Sequence, residues 1–242
     1  MKARTVDDTE IAHFAKDSAG WWNPDGPFKP LHWLTPARME FIRGAVGFHY
    51  GLPDEARTPF KGLSVLDIGC GGGLACEPMA RLGAKVTGVD ADQSAITVAR
   101  AHAADQNLEI DYVAGAAEDL GKKTYDIVLA LEVIEHVSDP QVFMSLCSKL
   151  LKPGGILIVS TLNRTWKSYA LGIVAAEYIL NWAPKGTHDW KKFIQPAELA
   201  RMSRQQGLTV IDVCGMVYDP VKRDFFLKPQ DVDINYFLVA KK

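Results

Sequence analysis

From residue 63 onward, short apolar runs rich in β-branched residues alternate with segments of helical length. The runs cover 63–68, 85–90, 109–114, 125–131 and 155–161, and the helical candidates between and after them cover 74–82, 92–106, 139–151 and 165–182. Such alternation predicts a mostly parallel sheet covered by helices on both faces, a doubly wound α/β fold. The chain then closes with a helix over 196–206 and two extended runs, 208–213 and 232–240. The connection between those runs is rich in Pro, Asp and charge and too short for a helical crossover, so an antiparallel hairpin at the edge of a seven-stranded sheet is expected. Residues 1–62 precede the first strand and read as two helical pieces, 7–20 and 36–49. Between them Trp21-Trp-Asn-Pro-Asp-Gly-Pro-Phe28 breaks any helix. The organisation expected is one domain over 63–242 with a helical cap over 1–62.

Composition narrows the partners. The 242 residues carry 27 Lys plus Arg against 29 Asp plus Glu, a net charge of −2, and no basic block. That balance argues against a nucleic-acid binder, which needs clustered cations. With 48 % hydrophobic residues the chain can bury a sizeable core. The N-terminus lacks the apolar stretch of a secretory signal, and no run is long enough to span a bilayer. Cys70, Cys76, Cys147 and Cys214 lack zinc spacing and read as free thiols of a cytoplasmic protein.

The sharpest local signal is Val65-Leu-Asp-Ile-Gly-Cys-Gly-Gly-Gly73, with Gly69, Gly71 and Gly73 directly after a strand and before a helix. Such a turn lets a ligand lie against bare backbone at the carboxyl edge of a sheet. The spacing is G-x-G-x-G, with Leu74 where a dinucleotide fingerprint has its third glycine. Asp67, just before the turn, would repel a pyrophosphate but suits the ammonium of an amino acid. Asp90 closes the second strand 21 residues after Gly69, where an acid can accept from both ribose hydroxyls. After the third strand, Ala117 and Glu118 offer a small residue and a carboxylate to the edge of an adenine. Together these residues favour a zwitterionic, sulfonium-bearing nucleoside.

This set resembles the class I S-adenosylmethionine-dependent methyltransferases over residues 63–162, with Tyr125-Asp126 and Leu151-Lys-Pro-Gly-Gly155 as further marks. The resemblance implies the Rossmann-like fold and S-adenosylmethionine as methyl donor. Trp21-Trp22, Phe28-Lys-Pro-Leu-His32, Pro36-Ala-Arg38, Pro184-Lys-Gly-Thr-His-Asp189 and Phe193-Ile-Gln-Pro-Ala-Glu-Leu199 extend it to the ubiquinone-biosynthesis O-methyltransferases. That family implies a polyprenyl benzenediol or demethylubiquinol acceptor, and contacts to the donor from Arg38, Gly69, Asp90 and Leu131. A small-molecule C- or N-methyltransferase, and an idle donor-binding scaffold within a ubiquinone-biosynthesis complex, are the rival readings. An Asn/Asp-Pro-Pro-Tyr motif typical of amide or base N-methylation is absent after the fourth strand.

Leu131-Glu-Val-Ile-Glu-His-Val137 ends the fourth strand beside the expected methyl. A phenol with pKa near 10 is mostly protonated at neutral pH, so O-methylation needs a base or a metal. Glu132 and His136 are the catalytic candidates. Glu132, Glu135 and His136 are also a candidate ligand set whose oxygen-rich character suits Mg²⁺. A structural turn is the third reading. Trp21 and Trp22 read either as core or as a lid over the donor, and His188 and Asp189 as a loop pair or an acceptor contact. The segment 163–189, with Trp166, Lys167, Trp182 and Lys185 flanking an apolar stretch, reads as an insertion that either lies on the inner face of a membrane or lines a substrate tunnel.

Overall fold

The computed structural model describes residues 5–6, 11, 15–53, 55–171 and 189–242. Its strands are β1 (Ser64–Ile68), β2 (Lys85–Asp90), β3 (Ile110–Ala114), β4 (Tyr125–Leu131), β5 (Leu151–Leu162), β6 (Thr209–Asp219), β7 (Asp224–Lys228) and β8 (Asn235–Lys241). They form one sheet in the order β3-β2-β1-β4-β5-β8-β6-β7. The strands from β3 to β5 are parallel, whereas β8 runs antiparallel to both β5 and β6. The sheet thus has eight strands rather than seven. The additional one, β7, occupies the charged connection that the hydrophobic pattern left unassigned, and it pairs antiparallel with β6.

Five longer helices cover the sheet: α1 (Lys29–Tyr50), α2 (Cys76–Arg81), α3 (Gln93–Asp105), α4 (Pro140–Leu150) and α5 (Pro196–Gln205). Alternation along the strands divides the core. Val65, Ile127, Leu129, Ile156 and Ile158 pack with α1, α2 and α3, while Leu66, Val128, Leu157 and Val159 pack with α4 and α5. Helix α4 illustrates the local logic. Asp139 caps it by accepting from the backbone N–H groups of Gln141 and Val142 at 2.9 and 3.1 Å, Pro140 occupies its first turn, and Phe143, Met144, Cys147 and Leu150 form its buried stripe.

Helix α1 starts at Lys29, seven residues before the expected boundary. Pro30 lies in its first turn, where a missing N–H costs nothing, and the helix continues through Pro36. Its Leu34, Phe41, Ile42 and Val46 belong to the same core as β1 and β4, so this helix is part of the domain's packing. The segment expected to be helical over 7–20 lies partly outside the described residues, and its described end is the 3₁₀ helix Ala15–Gly20. Of the 163–189 segment, one helical turn, Trp166–Ser168, is described, whereas Trp182, Lys185 and His188 lie outside the described residues.

Because β1 and β4 are neighbours while their helices leave toward opposite faces, the crevice outside their carboxyl ends is the topological switch point where such sheets bind ligands. Gly88 in β2 supports that region from behind. A Cβ there would stand 2.9 Å from each of Cys70 Sγ, Cys76 Sγ and Tyr112 Cδ1. Replacing Gly88 by Ala is expected to cost about 1–3 kcal/mol, because three packed neighbours must move. Urea unfolding measures this, and an unchanged midpoint would mean that the packing yields freely.

Candidate active site

The glycine turn is built as its sequence demands. Gly69, Gly71 and Gly73 have φ of 71°, 50° and 90°, in the left-handed region that favours glycine. At each, a side chain would also collide: a Cβ on Gly69 would approach Val133 to 2.5 Å, and one on Gly73 would approach the Tyr112 hydroxyl to 2.1 Å. The turn is held by Gly69 N–H and Cys70 N–H donating to the Val89 carbonyl at 2.8 and 3.2 Å. Asp90, at the end of β2, then accepts from Gly71 N–H through one oxygen and from Asp92 N–H through the other, both at 2.8 Å. Burial pushes the Asp90 carboxyl above its ordinary value, while these backbone donors act in the opposite sense.

Asp67 is 3 % exposed, and its Oδ2 accepts from the Cys76 thiol at 3.3 Å. Burial drives its carboxyl up to about 7, opposed by the Cys76 thiol and the Arg38 charge and reinforced by Asp90. Arg38 reaches this cluster from α1. It is buried, its Nη2 lies 3.5 Å from Glu132 Oε1, and its Nε has no partner. Desolvation lowers its pKa, while Glu132, Asp67 and Glu135 pull it back up, so one guanidinium faces three carboxyl groups.

Leu131 ends β4 and is buried, and Glu132 follows it with φ of 56°, a conformation rare for a residue with a side chain. Its N–H donates to the Ser160 carbonyl at 3.0 Å. Its carboxylate accepts from Ser160 Oγ at 2.6 Å and from Asn235 Nδ2 at 3.1 Å to each oxygen. Glu135 is buried, with Oε2 unpartnered. Desolvation, then the Glu132 charge, raises its carboxyl, and His136 acts in the opposite sense.

The metal-ligand reading of this turn finds no support in the geometry. Among the described residues no three His, Cys, Asp or Glu side chains converge as ligands. Glu132 spends its oxygens on Asn235, Ser160 and Arg38. Glu135 is buried with Oε2 unpartnered, and burial and then the nearby Glu132 charge raise its carboxyl. The residues as placed therefore do not fit an Mg²⁺ site.

Beyond β3, Ala117 is buried in the 3₁₀ turn Ala117–Leu120. Glu118 Oε1 accepts from Thr5 N–H at 2.6 Å, and Oε2 is buried without a partner. The tryptophan pair covers the glycine turn. Cβ atoms on Gly71 and Gly72 would lie 2.3 and 2.5 Å from the Trp21 side chain, and Trp22 Nε1 donates to the Gly72 carbonyl at 2.9 Å. Trp22 stacks on His102 at 3.5 Å, whose Nδ1 lies 2.6 Å from the buried Glu77 carboxylate. Trp21 stacks on Phe28 at 3.9 Å, and Ser18 donates to Asp92. Asp189 caps the turn Trp190–Lys192 by accepting from Lys191 N–H.

Sequence reasoning thus named Arg38, Asp67, Asp90 and Glu132, which converge here, but missed Ser160, Asn235 and Cys76. The one available signal for Asn235 was an amide opening an otherwise apolar strand.

The methyltransferase-domain family matches residues 50–213. Ubiquinone biosynthesis O-methyltransferase from Bartonella quintana is 51 % identical over 241 residues, covering 98 % of this chain and 97 % of that protein. The protein of that name from Dinoroseobacter shibae is 49 % identical, covering 96 % of this chain and 95 % of its own length. Among solved structures, magnesium protoporphyrin IX methyltransferase from Synechocystis PCC 6803 with bound SAH has a TM-score of 0.66 at 19 % identity, covering 98 % of this chain and 100 % of that one. With a doubly wound sheet, a glycine turn at its switch point and near-half identity over almost its whole length, this chain belongs to the ubiquinone biosynthesis O-methyltransferases, within the S-adenosylmethionine-dependent class I methyltransferases.

Proposed function

We propose that this protein transfers a methyl group from S-adenosylmethionine to a phenolic hydroxyl of polyprenyl benzenediol and demethylubiquinol acceptors. The observation that carries this reading is the pairing of two buried groups of opposite character at the switch point. The unpartnered Nε of Arg38 suits a carboxylate, and Asp67 suits an ammonium, so the pair fits the amino-acid end of the donor. Gly69, Gly71 and Gly73 let the donor lie on bare backbone. Asp90 receives the ribose hydroxyls, Ala117 and Glu118 edge the adenine, and Leu131 forms the floor. Trp21 and Trp22 act as a lid, shielding the reaction from water.

When bound, the donor supplies an electrophilic sulfonium methyl. Glu132 holds Arg38, while His136 accepts the phenolic proton and the Glu135 carboxyl supports the imidazolium that results. The oxygen then forms its bond to the methyl carbon as the carbon–sulfur bond breaks, with the electron pair remaining on sulfur.

Incubating the protein with S-adenosylmethionine and a short-chain prenyl catechol, in Mg²⁺ and in chelator, tests this reading by product mass spectrometry. A methylated catechol is expected, and none in either condition would overturn the proposal. Product only with Mg²⁺ would transfer phenol activation from His136 to a metal. Replacing His136 by Asn is expected to lower kcat by about 10²-fold while donor affinity measured by calorimetry stays near wild type.

A peripheral contact with the inner face of the membrane follows from the acceptor's polyprenyl tail. Trp166 is 76 % exposed beside exposed Tyr169 and Leu171, and it stacks on Trp190 at 5.4 Å with Lys167 alongside. Exposed aromatic side chains of this kind suit a headgroup layer, while the Lys167 charge is met by Asp233 at 3.1 Å and Asp231 at 3.6 Å. No helix among the described residues is long and apolar enough to cross a membrane.

A further inference from the structure

Asn235 opens β8 opposite Leu162 of β5, and it is 7 % exposed. Its Nδ2 faces both oxygens of Glu132 at 3.1 Å, so the amide has one orientation. A flipped amide would set its oxygen against two carboxylate oxygens, replacing two charge-assisted hydrogen bonds by repulsion. The outcome is that Oδ1 is pinned, buried and without a donor. A buried carbonyl oxygen left unpaired is destabilising, and a ligand that donates to it recovers that cost.

The neighbours say what kind of donor is missing. Ser160 spends its hydroxyl on Glu132, and the guanidinium of Arg38 lies on the same carboxylate. The amide oxygen of Asn235 is thus an acceptor that neither the Ser160 hydroxyl nor Arg38 Nη2 serves, since both donate to Glu132, while Arg38 Nε is left for the carboxylate of the methyl donor. We infer that Asn235 Oδ1 receives the non-reacting hydroxyl of an aromatic diol, and so selects acceptors that carry a second hydroxyl beside the one methylated. This inference rests on the O-methyltransferase reading above. It adds a specificity determinant from β8, a strand that contributes nothing to the glycine turn or to Asp90.

A monophenol leaves Oδ1 unpaired in the complex, whereas a catechol satisfies it. Sites built to hydrogen-bond a substrate hydroxyl reject the analogue that lacks it, and a hydrophobic isostere does not escape the penalty. The already methylated neighbour is rejected for the same reason, since an ether has no proton to donate.

The test compares kcat/KM for a short-chain prenyl catechol and for the matching monophenol, in wild type, Asn235→Ala, Asn235→Ser and Ser160→Ala. Wild type is expected to favour the catechol by at least about tenfold. That ratio should fall toward unity in Asn235→Ala and Asn235→Ser. Ser160→Ala also removes a bond to Glu132 but keeps the free amide oxygen, so it should slow both acceptors alike and preserve the ratio. A purely structural role for Asn235 would lower both rates together, and a preserved ratio in the two Asn235 variants overturns the inference. The inference also falls if wild type methylates both acceptors equally. No product from wild type on either acceptor overturns the underlying O-methyltransferase reading instead, so the two failures are distinguishable.

Discussion

Replacing Arg38 by Met is expected to destabilise the protein by about 3–5 kcal/mol at pH 8 and by markedly less at pH 5. The reason is the company the guanidinium keeps. It is buried beside Asp67, Glu132 and Glu135, and the charges of all three carboxyl groups act on it. Asp67 has a folded-state value of about 7, above its ordinary value, so its contribution to stability is complete at low pH and is lost as pH rises through about 7. Without Arg38 that value climbs further, so at pH 8 the folded protein must either hold a proton that the unfolded chain has released or bury an uncompensated charge, and both cost stability. At pH 5 the same carboxyl is neutral and the missing cation matters less. Donor binding should suffer separately: loss of the partner for the methionine carboxylate is expected to weaken affinity by about 10²-fold or more. Arg38→Lys should recover most of the stability and little of the affinity, because an ammonium keeps the charge but not the fork. Urea unfolding at the two pH values, with calorimetric titration of S-adenosylhomocysteine, measures both effects. An equal loss of stability at pH 5 and pH 8 would show that packing, not charge, is what Arg38 supplies.

How much of this arrangement was legible in the sequence depends on whether the cause was local. The hydrophobic pattern located β2 and β4 to the residue, because buried parallel strands read as continuous apolar runs bounded by turns. The glycine turn was legible for the same reason, since left-handed backbone and close approach restrict those positions to one residue type. The start of α1 was misplaced because Pro30 and Pro36 look like breakers, whereas one sits in a first turn and the other is carried by packing against the core. Strand β7 was missed because its alternation, with Phe225 and Leu227 toward α1, is short and set among charges. At the site, the acidic turn after β4 was legible, but which of its three readings applies, ligand set, base or structural turn, was not. What Glu132 does is decided by Ser160 and Asn235, which arrive from β5 and β8 and share no spacing with it. Convergence of distant strands leaves no periodic trace, so the role of a carboxylate there is readable only once the sheet is assembled.

The acid limb of donor affinity should belong to Asp67. With its carboxyl near 7 in the free protein, the group must ionise to receive the donor's ammonium, so binding releases a proton. As pH falls below about 7, the dissociation constant should rise toward tenfold per unit, since one unit of pKa corresponds to about 1.4 kcal/mol. The limb at high pH has another origin, the loss of charge from the donor's own amino group at about 8. Affinity should therefore peak in the narrow interval between the two. Asp67→Asn is expected to weaken binding at that optimum by about 30-fold or more, consistent with removing a buried charge partner, and to abolish the acid limb while leaving the alkaline one. The same variant should unfold at a higher temperature at pH 8, since the amide cannot ionise and avoids the loss that the carboxyl suffers as pH passes through about 7. Calorimetry across pH, in buffers of different ionisation enthalpy, reads the affinity and the released proton together. Asp90 is the competing source, because burial raises its carboxyl too. An acid limb that survives in Asp67→Asn and disappears in Asp90→Asn would move the ammonium contact to the end of β2.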